Sequence, residues 1–173
     1  MNDTVRLRKL ALTALFVAVG ILLAPFSIPL GAAKTFPFQH MLNVLIAVFL
    51  GWRYGVAGAF CVSSIRIALG MGTILAYPGS MIGAALSGIL YARTGKLWGA
   101  VVGEIIGTGL LGGLLSYPLA AYILGSRAAT LFFFVFAFLP NTVVGAVLGA
   151  LIYKVMPARN SKNLCKPEDL VNG

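Results

Sequence analysis

Long apolar runs, separated by short segments rich in Gly, Pro or charge, constrain this chain more than any other feature. Apolar residues occupy 60% of its 173 positions and charged residues only 10%, against roughly 25% charged in soluble domains. In water such a chain would expose large apolar patches, whereas in lipid the same surface needs no cover. Because each crossing takes about 20 residues, the sequence predicts an all-α integral membrane protein of six transmembrane helices.

The apolar runs set the expected boundaries. The predicted spans are Leu10–Leu23, Phe38–Leu50, Gly55–Leu69, Ser80–Tyr91, Leu97–Leu115 and Thr130–Tyr153. The predicted loops are Pro25 to Pro37, Gly51–Tyr54, Gly70–Pro78, Arg93–Lys96 and Tyr117–Arg127. The second to fourth spans are short, so they either extend into their flanking loops or lie where the membrane is locally thin. Residues 1–157 form the predicted membrane domain, and 158–173 a polar, disordered cytoplasmic tail.

Basic residues predict the orientation. With the N-terminus in the cytoplasm, ten Lys and Arg residues fall on that side, while only Lys34 and Arg127 fall outside, with Arg66 near the outer end of its span. This positive-inside bias places both termini in the cytoplasm. A signal peptide cleaved near Gly31-Ala32-Ala33 is the alternative, and it would leave five spans. The net charge of +9 does not indicate a nucleic-acid partner, since no basic stripe with interleaved aromatics occurs.

Small residues recur at four-residue spacing on several spans. Such spacing lets helix backbones approach closely, and it occurs in these sets: Gly99, Gly103 and Gly107; Gly79, Gly83 and Ser87; Gly145 and Gly149. We interpret these sets as packing faces within the bundle. Ala14 and Ala18 form a similar pair on the first span, where a docking face for another membrane protein is an alternative to internal packing.

Three ionisable residues lie within the spans, where such groups face a cavity or each other. Arg66 and Glu104 could form a structural ion pair, or Arg66 could meet a polar or anionic ligand group, including a phosphate. His40 shares a helix face with Asn43, and either an interfacial role or ligand contact fits it. A metal site is not predicted, because no second His or Cys lies at a suitable spacing from His40. Cys61 and Cys165 are expected to be free thiols.

Further polar residues mark the outer ends of the later spans. Tyr77-Pro78-Gly79-Ser80 opens the fourth span, where Ser80 either caps the helix or meets a ligand. Asn141 follows Pro140. It either hydrogen-bonds the backbone carbonyl that the proline leaves free or points into a cavity. With the nearby aromatic residues, these groups suit a small heteroaromatic ligand. The same pattern does not favour an enzyme: a Ser80/His40 hydrolase lacks the expected glycine after the serine, and no P-loop occurs.

Three segments carry a resemblance to a known family. Lys34-Thr-Phe-Pro-Phe-Gln-His-Met-Leu-Asn-Val-Leu, Gly51-Trp-Arg-Tyr-Gly-Val-Ala-Gly-Ala-Phe and Tyr77-Pro-Gly-Ser-Met-Ile-Gly-Ala resemble the ThiW family over about Arg8 to Met156. ThiW proteins look like substrate-binding S components of energy-coupling factor (ECF) vitamin transporters. The resemblance implies a six-helix S-component fold, a thiazole or thiamin-like cargo such as hydroxyethylthiazole, and no cofactor of the chain's own.

The resemblance also implies partners and residue roles. A transmembrane coupling protein would dock on Ala14 and Ala18, which match the family's Ala-x-x-x-Ala motif. Two ATPase subunits would drive the toppling of the S component, that is, its rotation within the lipid of the cell membrane. The expected substrate-binding residues are His40, Asn43, Arg66, Tyr77, Ser80 and Asn141. The expected outer lid and pocket residues are Lys34, Phe36, Phe38, Gln39 and Tyr117. Two alternatives remain open: a stand-alone small-solute transporter, and a membrane scaffold that binds no small molecule.

Overall fold

Helices account for almost all of the regular structure in this protein. The computed structural model describes residues 3–26, 28–30, 33–123, 125, 130 and 132–156, with only the backbone described at 28–30 and 33–35. The predicted tail at 158–173 and Arg127 lie outside the described residues, as does the Lys34 side chain.

The helices are α1 Asp3–Leu23, α2 Pro37–Leu50, α3 Trp52–Ala68, α4 Ala76–Thr94, α5 Leu97–Glu104, α6 Gly113–Tyr122 and α7 Phe133–Val155. A π-helix at Ile105–Gly112 joins α5 to α6, so Leu97–Tyr122 is one continuous helical segment. Six helical segments therefore occupy the described chain, and each overlaps one predicted span. Three of them, α1, Leu97–Tyr122 and α7, are long and apolar enough to cross a membrane.

The segment between α1 and α2 contains regular structure that the sequence did not predict. After a 3-10 turn at Ala24–Phe26, strands β1 (Ile28–Leu30) and β2 (Ala33–Thr35) pair as an antiparallel hairpin. Strand β2 contacts α7. We call the end of the bundle where α2 and α4 begin the hairpin end.

Several predicted boundaries are wrong. The predicted loop at Tyr117–Arg127 begins too early, because α6 continues through Pro118 to Tyr122. α4 begins at Ala76, so Tyr77 and Pro78 belong to its first turn instead of a loop. Ser80 does not cap this helix, because its hydroxyl lies inside α4 and donates to the Ala76 carbonyl at 2.8 Å.

α2 is the central helix of the bundle. Nearly all of its side chains are buried, and it contacts α1, α3, α4, α5 and α7. Its apolar residues suit this position, and its three polar residues, Gln39, His40 and Asn43, lie in its first two turns. Gly51, with φ 97, both ends α2 and precedes α3, so the chain reverses through one residue that tolerates positive φ.

α2 begins deep within the bundle. Pro37 lies beside Gly145, which is twelve residues after the first residue of α7, Phe133. At about 1.5 Å per residue, α7 therefore extends roughly 18 Å past the start of α2. α6 runs antiparallel to this part of α7, with Gly113 beside Val135. α6 and α7 thus continue past the first turn of α2 at the hairpin end, where β2 also contacts α7.

The glycine faces pack as predicted. A Cβ on Gly103 would lie 2.5 Å from the Leu86 carbonyl oxygen, and one on Gly107 would lie 2.6 Å from the Gly83 Cα. A Cβ on Gly149 would lie 2.9 Å from the Met41 carbonyl oxygen. These contacts confirm that the small residues bring α4 against Leu97–Tyr122 and α7 against α2. Ala14 and Ala18, by contrast, are exposed on α1.

Candidate functional site

Glu104 lies at the centre of a buried polar cluster. Its side chain is 0% exposed, and three groups from two helical segments converge on Oε1. Thr108 Oγ1 lies 2.8 Å away, Asn43 Nδ2 donates at 3.0 Å, and His40 Nδ1 lies 2.9 Å away. A carboxylate can only accept, so the geometry assigns the Nδ1 hydrogen of His40 to this contact. Glu104 therefore ties α2 to the segment Leu97–Tyr122.

The same donors connect the cluster to α4. Asn43 Nδ2 also donates to the Ser80 carbonyl oxygen at 3.2 Å. Thr108 Oγ1 lies 2.9 Å from the Gly79 carbonyl oxygen, and its single hydrogen serves either this carbonyl or Glu104. Both carbonyls belong to the first turns of α4, so the cluster fixes the start of that helix.

α7 joins the cluster through one residue. Asn141 Nδ2 lies 3.2 Å from His40 Nε2, on the turn that follows Pro140. Gly145 makes this approach possible, because a Cβ there would lie 2.7 Å from the His40 Cβ. Asn141 is partly exposed, whereas His40 is only 7% exposed. Asn141 thus links α7 to His40.

A second chain of hydrogen bonds leads from α4 to Arg66. The hydroxyl group of Ser80 donates its hydrogen to the Ala76 carbonyl oxygen. In the 3.0 Å contact between Ser63 Oγ and Ser80 Oγ, the donor is therefore Ser63. Ser63 Oγ accepts from Gln39 Nε2 at 2.8 Å, and Gln39 Oε1 accepts from Arg66 Nη1 at 2.7 Å. The directions of donation are therefore consistent along the whole chain.

Among the described residues, Arg66 has only neutral partners. Besides Gln39, its guanidinium donates to the Met71 carbonyl oxygen at 3.2 Å and lies 4.1 Å from the centroid of the Phe36 ring. Its side chain is 4% exposed. The proposed Arg66–Glu104 ion pair is wrong, because within the described chain Glu104 pairs with His40 instead. Two buried polar atoms of this region have no hydrogen-bond partner among the described residues, Arg66 Nε and Glu104 Oε2.

Other predicted site residues lie apart from the cluster. Tyr77 Oη is 3.0 Å from Ser64 Oγ, and its ring packs on Phe60 at 5.6 Å. Phe38 packs against Phe36, with ring centroids 5.9 Å apart. Tyr117 lies in α6, half-buried, and is not part of the hydrogen-bonded chain. The structure thus joins His40, Asn43, Arg66, Ser80, Gln39 and Asn141 but not Tyr77, Phe38 or Tyr117.

Sequence reasoning assigned no site role to Glu104 or Thr108. One signal could have indicated them: Glu104 is the single acidic residue between Asp3 and Glu168, and Thr108 follows it by one turn. Thr108 lies in the π-helix, a form that is frequent at functional sites. Among the described residues, no group of three or more His, Cys, Asp or Glu side chains could hold a metal ion.

Comparison with known proteins gives one match. A family model described as thiamine-precursor transporter protein (ThiW) matches residues 10–159, which is most of the chain. No curated protein and no solved structure matches significantly. The matched range includes every residue of the buried cluster.

Proposed function

Because the chain belongs to the ThiW family of thiamine-precursor transporter proteins, we propose that it is the substrate-binding S component of an ECF-type importer. Its proposed cargo is hydroxyethylthiazole or a related thiamin compound. The six helical segments would then span the cell membrane with both termini in the cytoplasm, and the hairpin end would face outward.

The buried cluster at the hairpin end is the observation that carries this proposal. Ionisable and amide side chains are costly inside an apolar bundle, and where they occur they usually mark a ligand or ion pathway. Here they gather at the first turns of α2, beneath the extended walls of α6 and α7. A small heteroaromatic molecule needs such a mixture of apolar wall and few polar anchors.

In the proposed complex the ligand lies in front of the first turn of α2. His40 and the partly exposed Asn141 form a polar pair, and they would bond the ring nitrogen or the hydroxyl group. Glu104 would hold His40, and Asn43 would hold the start of α4 through the Ser80 carbonyl oxygen, while Arg66 and Tyr77 border the site. Phe36, Phe38, Gln39, Lys34 and Tyr117 would form the lid and outer wall.

What the chain contains and exposes supports the proposed partners. The sequence has no P-loop, so ATP hydrolysis would come from separate ATPase subunits. Ala14 and Ala18 are exposed on α1, where small residues permit close approach of a second helix. We propose that the transmembrane coupling protein docks there.

Ligand-induced thermal stabilisation of the detergent-purified protein tests the binding role. At about 100 times its dissociation constant, a ligand adds roughly 2.7 kcal/mol of stability, and hydroxyethylthiazole is expected to do so where unrelated vitamins do not. His40→Ala and Asn141→Ala should weaken this shift. Thr94→Ala is the control, because Thr94 donates within α4 at the opposite end. Unchanged affinity in both site variants would rule out the proposed contacts.

Uptake by proteoliposomes separates the S component from a stand-alone transporter. Uptake of labelled thiazole should require the coupling protein, the ATPase subunits and ATP. Replacing Ala14 and Ala18 with Leu should abolish uptake while leaving ligand binding intact. Uptake by the purified chain alone would instead support a stand-alone transporter.

A further inference from the structure

Hydrogen bonds link Glu104 through His40 to Asn141, and their direction can be traced from the backbone of α4. A backbone carbonyl can only accept, so the Asn43 atom that lies 3.2 Å from the Ser80 carbonyl oxygen is the amide nitrogen. The same nitrogen donates to Glu104 Oε1 at 3.0 Å. Glu104 Oε1 is therefore an acceptor.

The direction of donation continues through the His40 ring. Nδ1 lies 2.9 Å from Glu104 Oε1 and carries the hydrogen of this contact. A neutral imidazole has a single N–H, so Nε2 keeps a lone pair. Asn141 Nδ2, 3.2 Å from Nε2, donates to that lone pair. His40 thus presents an acceptor to α7 because its other nitrogen donates to Glu104.

This bond orients the amide group of Asn141. With Nδ2 directed at His40, Oδ1 occupies the other side of the amide and has no hydrogen-bond partner among the described residues. Oδ1 is also accessible, in contrast to the fully buried and unpartnered Glu104 Oε2. The accessible oxygen at the end of this chain of bonds is therefore a hydrogen-bond acceptor.

Asn141 lies on the interior side of α7, near the hairpin end. It shares a helix face with Phe134, Gly145 and Gly149, all of which are buried. It is one turn nearer the start of α7 than Gly145, which contacts Pro37, the first residue of α2. α2 therefore does not cover the outer side of this amide.

We propose that Glu104 is a positioning residue for ligand recognition: acting through His40, it directs Asn141 Oδ1 to accept a hydrogen bond from the hydroxyl group of the ligand. The inference rests on the proposed function, because it decides which group of hydroxyethylthiazole meets the His40–Asn141 pair. The ring nitrogen has a lone pair and no hydrogen, so it would leave Oδ1 unpaired. A hydroxyl group donates to Oδ1, and its oxygen can accept the second Nδ2 hydrogen.

The direction of these bonds can be measured on the protein without ligand, because His40 is the single histidine of the sequence. Nitrogen NMR of protein isotope-labelled at histidine, after removal of any histidine tag, should show Nδ1 protonated and Nε2 unprotonated. Glu104→Gln keeps an acceptor oxygen and should retain this tautomer, whereas Glu104→Ala should lose it. A protonated Nε2 in the wild type would overturn the proposal, as would an unchanged tautomer in Glu104→Ala.

Three ligands of similar shape test the contact with the hydroxyl group. Hydroxyethylthiazole both donates and accepts through its hydroxyl. Its methyl ether keeps the oxygen but lacks the hydrogen, and the ethyl analogue lacks both. The ether and the ethyl analogue should bind the wild type about tenfold more weakly than the alcohol, because neither provides a donor for Oδ1. An ether that binds as tightly as the alcohol would contradict the proposed contact.

Variants separate the lost donor from the added bulk of the ether. Asn141→Leu removes Oδ1 at similar volume and should abolish the preference for the alcohol over the ether, whereas a steric penalty would persist. Thr142→Val is the matched control, because the Thr142 hydroxyl donates within α7 to the Phe138 carbonyl oxygen at 2.8 Å. Its loss should leave the preference unchanged. The wild-type spectrum and ligand series are decisive even if Glu104→Ala does not fold.

The outcomes distinguish this inference from the proposed function. A protonated Nε2, or equal binding of the alcohol and the ether by the wild type, overturns the inference while binding of hydroxyethylthiazole still upholds the proposed function. Failure of the folded wild type to bind any of the three ligands overturns both, even where His40 has the expected tautomer.

Discussion

Glu104 shows how strongly one residue organises the interior of this protein. A carboxylate buried among apolar helices is unfavourable unless hydrogen bonds and an ion pair compensate for its lost hydration. His40, Asn43 and Thr108 provide that compensation on one oxygen atom. Because these donors come from α2 and from the π-helix that follows α5, the charge also determines how the two segments fit together.

Replacing Glu104 with Ala should destabilise the protein by about 3–5 kcal/mol, since removal of one partner leaves the others buried and unpaired. Glu104→Gln keeps an acceptor oxygen and should lose less. Thr108→Val removes a single hydrogen bond and should lose about 1 kcal/mol or less. Unfolding in a fixed detergent measures all three. Equal stability of Glu104→Ala and the wild type would mean that the cluster does not support the fold.

Lys9 presents the opposite case at the other end of the bundle. Its side chain is 2% exposed, and Nζ has no hydrogen-bond partner among the described residues. The ammonium lies 5.5 Å from the centroid of the Tyr54 ring, a cation–π contact that compensates only in part. A charge in this position lowers stability.

Lys9→Met should therefore raise the free energy of unfolding by an increment on the order of 1 kcal/mol, and the melting temperature with it. The methionine fills the same space without a buried charge. Lys154→Met is the control, since Lys154 is exposed near the end of α7 and its loss should change little. A lower melting temperature for Lys9→Met would indicate that the ammonium has a partner in the surrounding lipid or detergent.

At the scale of elements, glycine contacts decide which helices become neighbours. α4 packs against Leu97–Tyr122 along Gly83, Gly103 and Gly107, where backbones meet without intervening side chains. The π-helix Ile105–Gly112 follows Glu104 directly and is rich in glycine. Close backbone approach is what replaces the hydrophobic driving force between helices in lipid.

Gly103→Ala should destabilise the protein by about 1–3 kcal/mol, because the added methyl group overlaps the backbone of α4. Gly72→Ala is the matched control. A Cβ at Gly72 would have its nearest neighbour, the Arg66 Cβ, at 3.6 Å, an ordinary contact. Thermal unfolding of both variants tests the difference, and similar melting temperatures would contradict the packing described for α4 and α5.

At the scale of the whole molecule, the distribution of charge predicts an orientation. The basic residues of the predicted cytoplasmic side outnumber those of the other side. Leu97–Tyr122 runs antiparallel to both α4 and α7, as the glycine contacts show. The hairpin end, with the buried cluster, is therefore expected to face outward. This orientation would present the site to solutes from the medium.

Labelling of single cysteines tests this orientation. In a background with Cys61 and Cys165 replaced by Ser, Thr73→Cys precedes α4 and should react with an impermeant maleimide on intact cells. Lys96→Cys precedes α5 and should react only after permeabilisation. Both parent residues are exposed, so access is not limited by burial. The reverse pattern would invert the predicted topology.

Much of the architecture could be predicted without coordinates. Each predicted span overlaps a helical segment, because a run of apolar residues favours helix in lipid wherever it is placed. The helix ends were less predictable: Ser80 and Tyr117 were assigned to helix boundaries but lie inside helices. Helix ends depend on small differences in capping and packing, which the apolar pattern does not contain.

The sequence by itself determined the features that depend on composition and local spacing: helical spans, small-residue faces and the bias of basic residues. Only the tertiary structure decided which polar groups meet. Glu104 pairs with His40 instead of Arg66 because α2 begins deep beside α7, which brings His40 level with Asn141 and Glu104. The relative shift of helices along their axes arises from contacts between segments far apart in the chain, so no single segment encodes it.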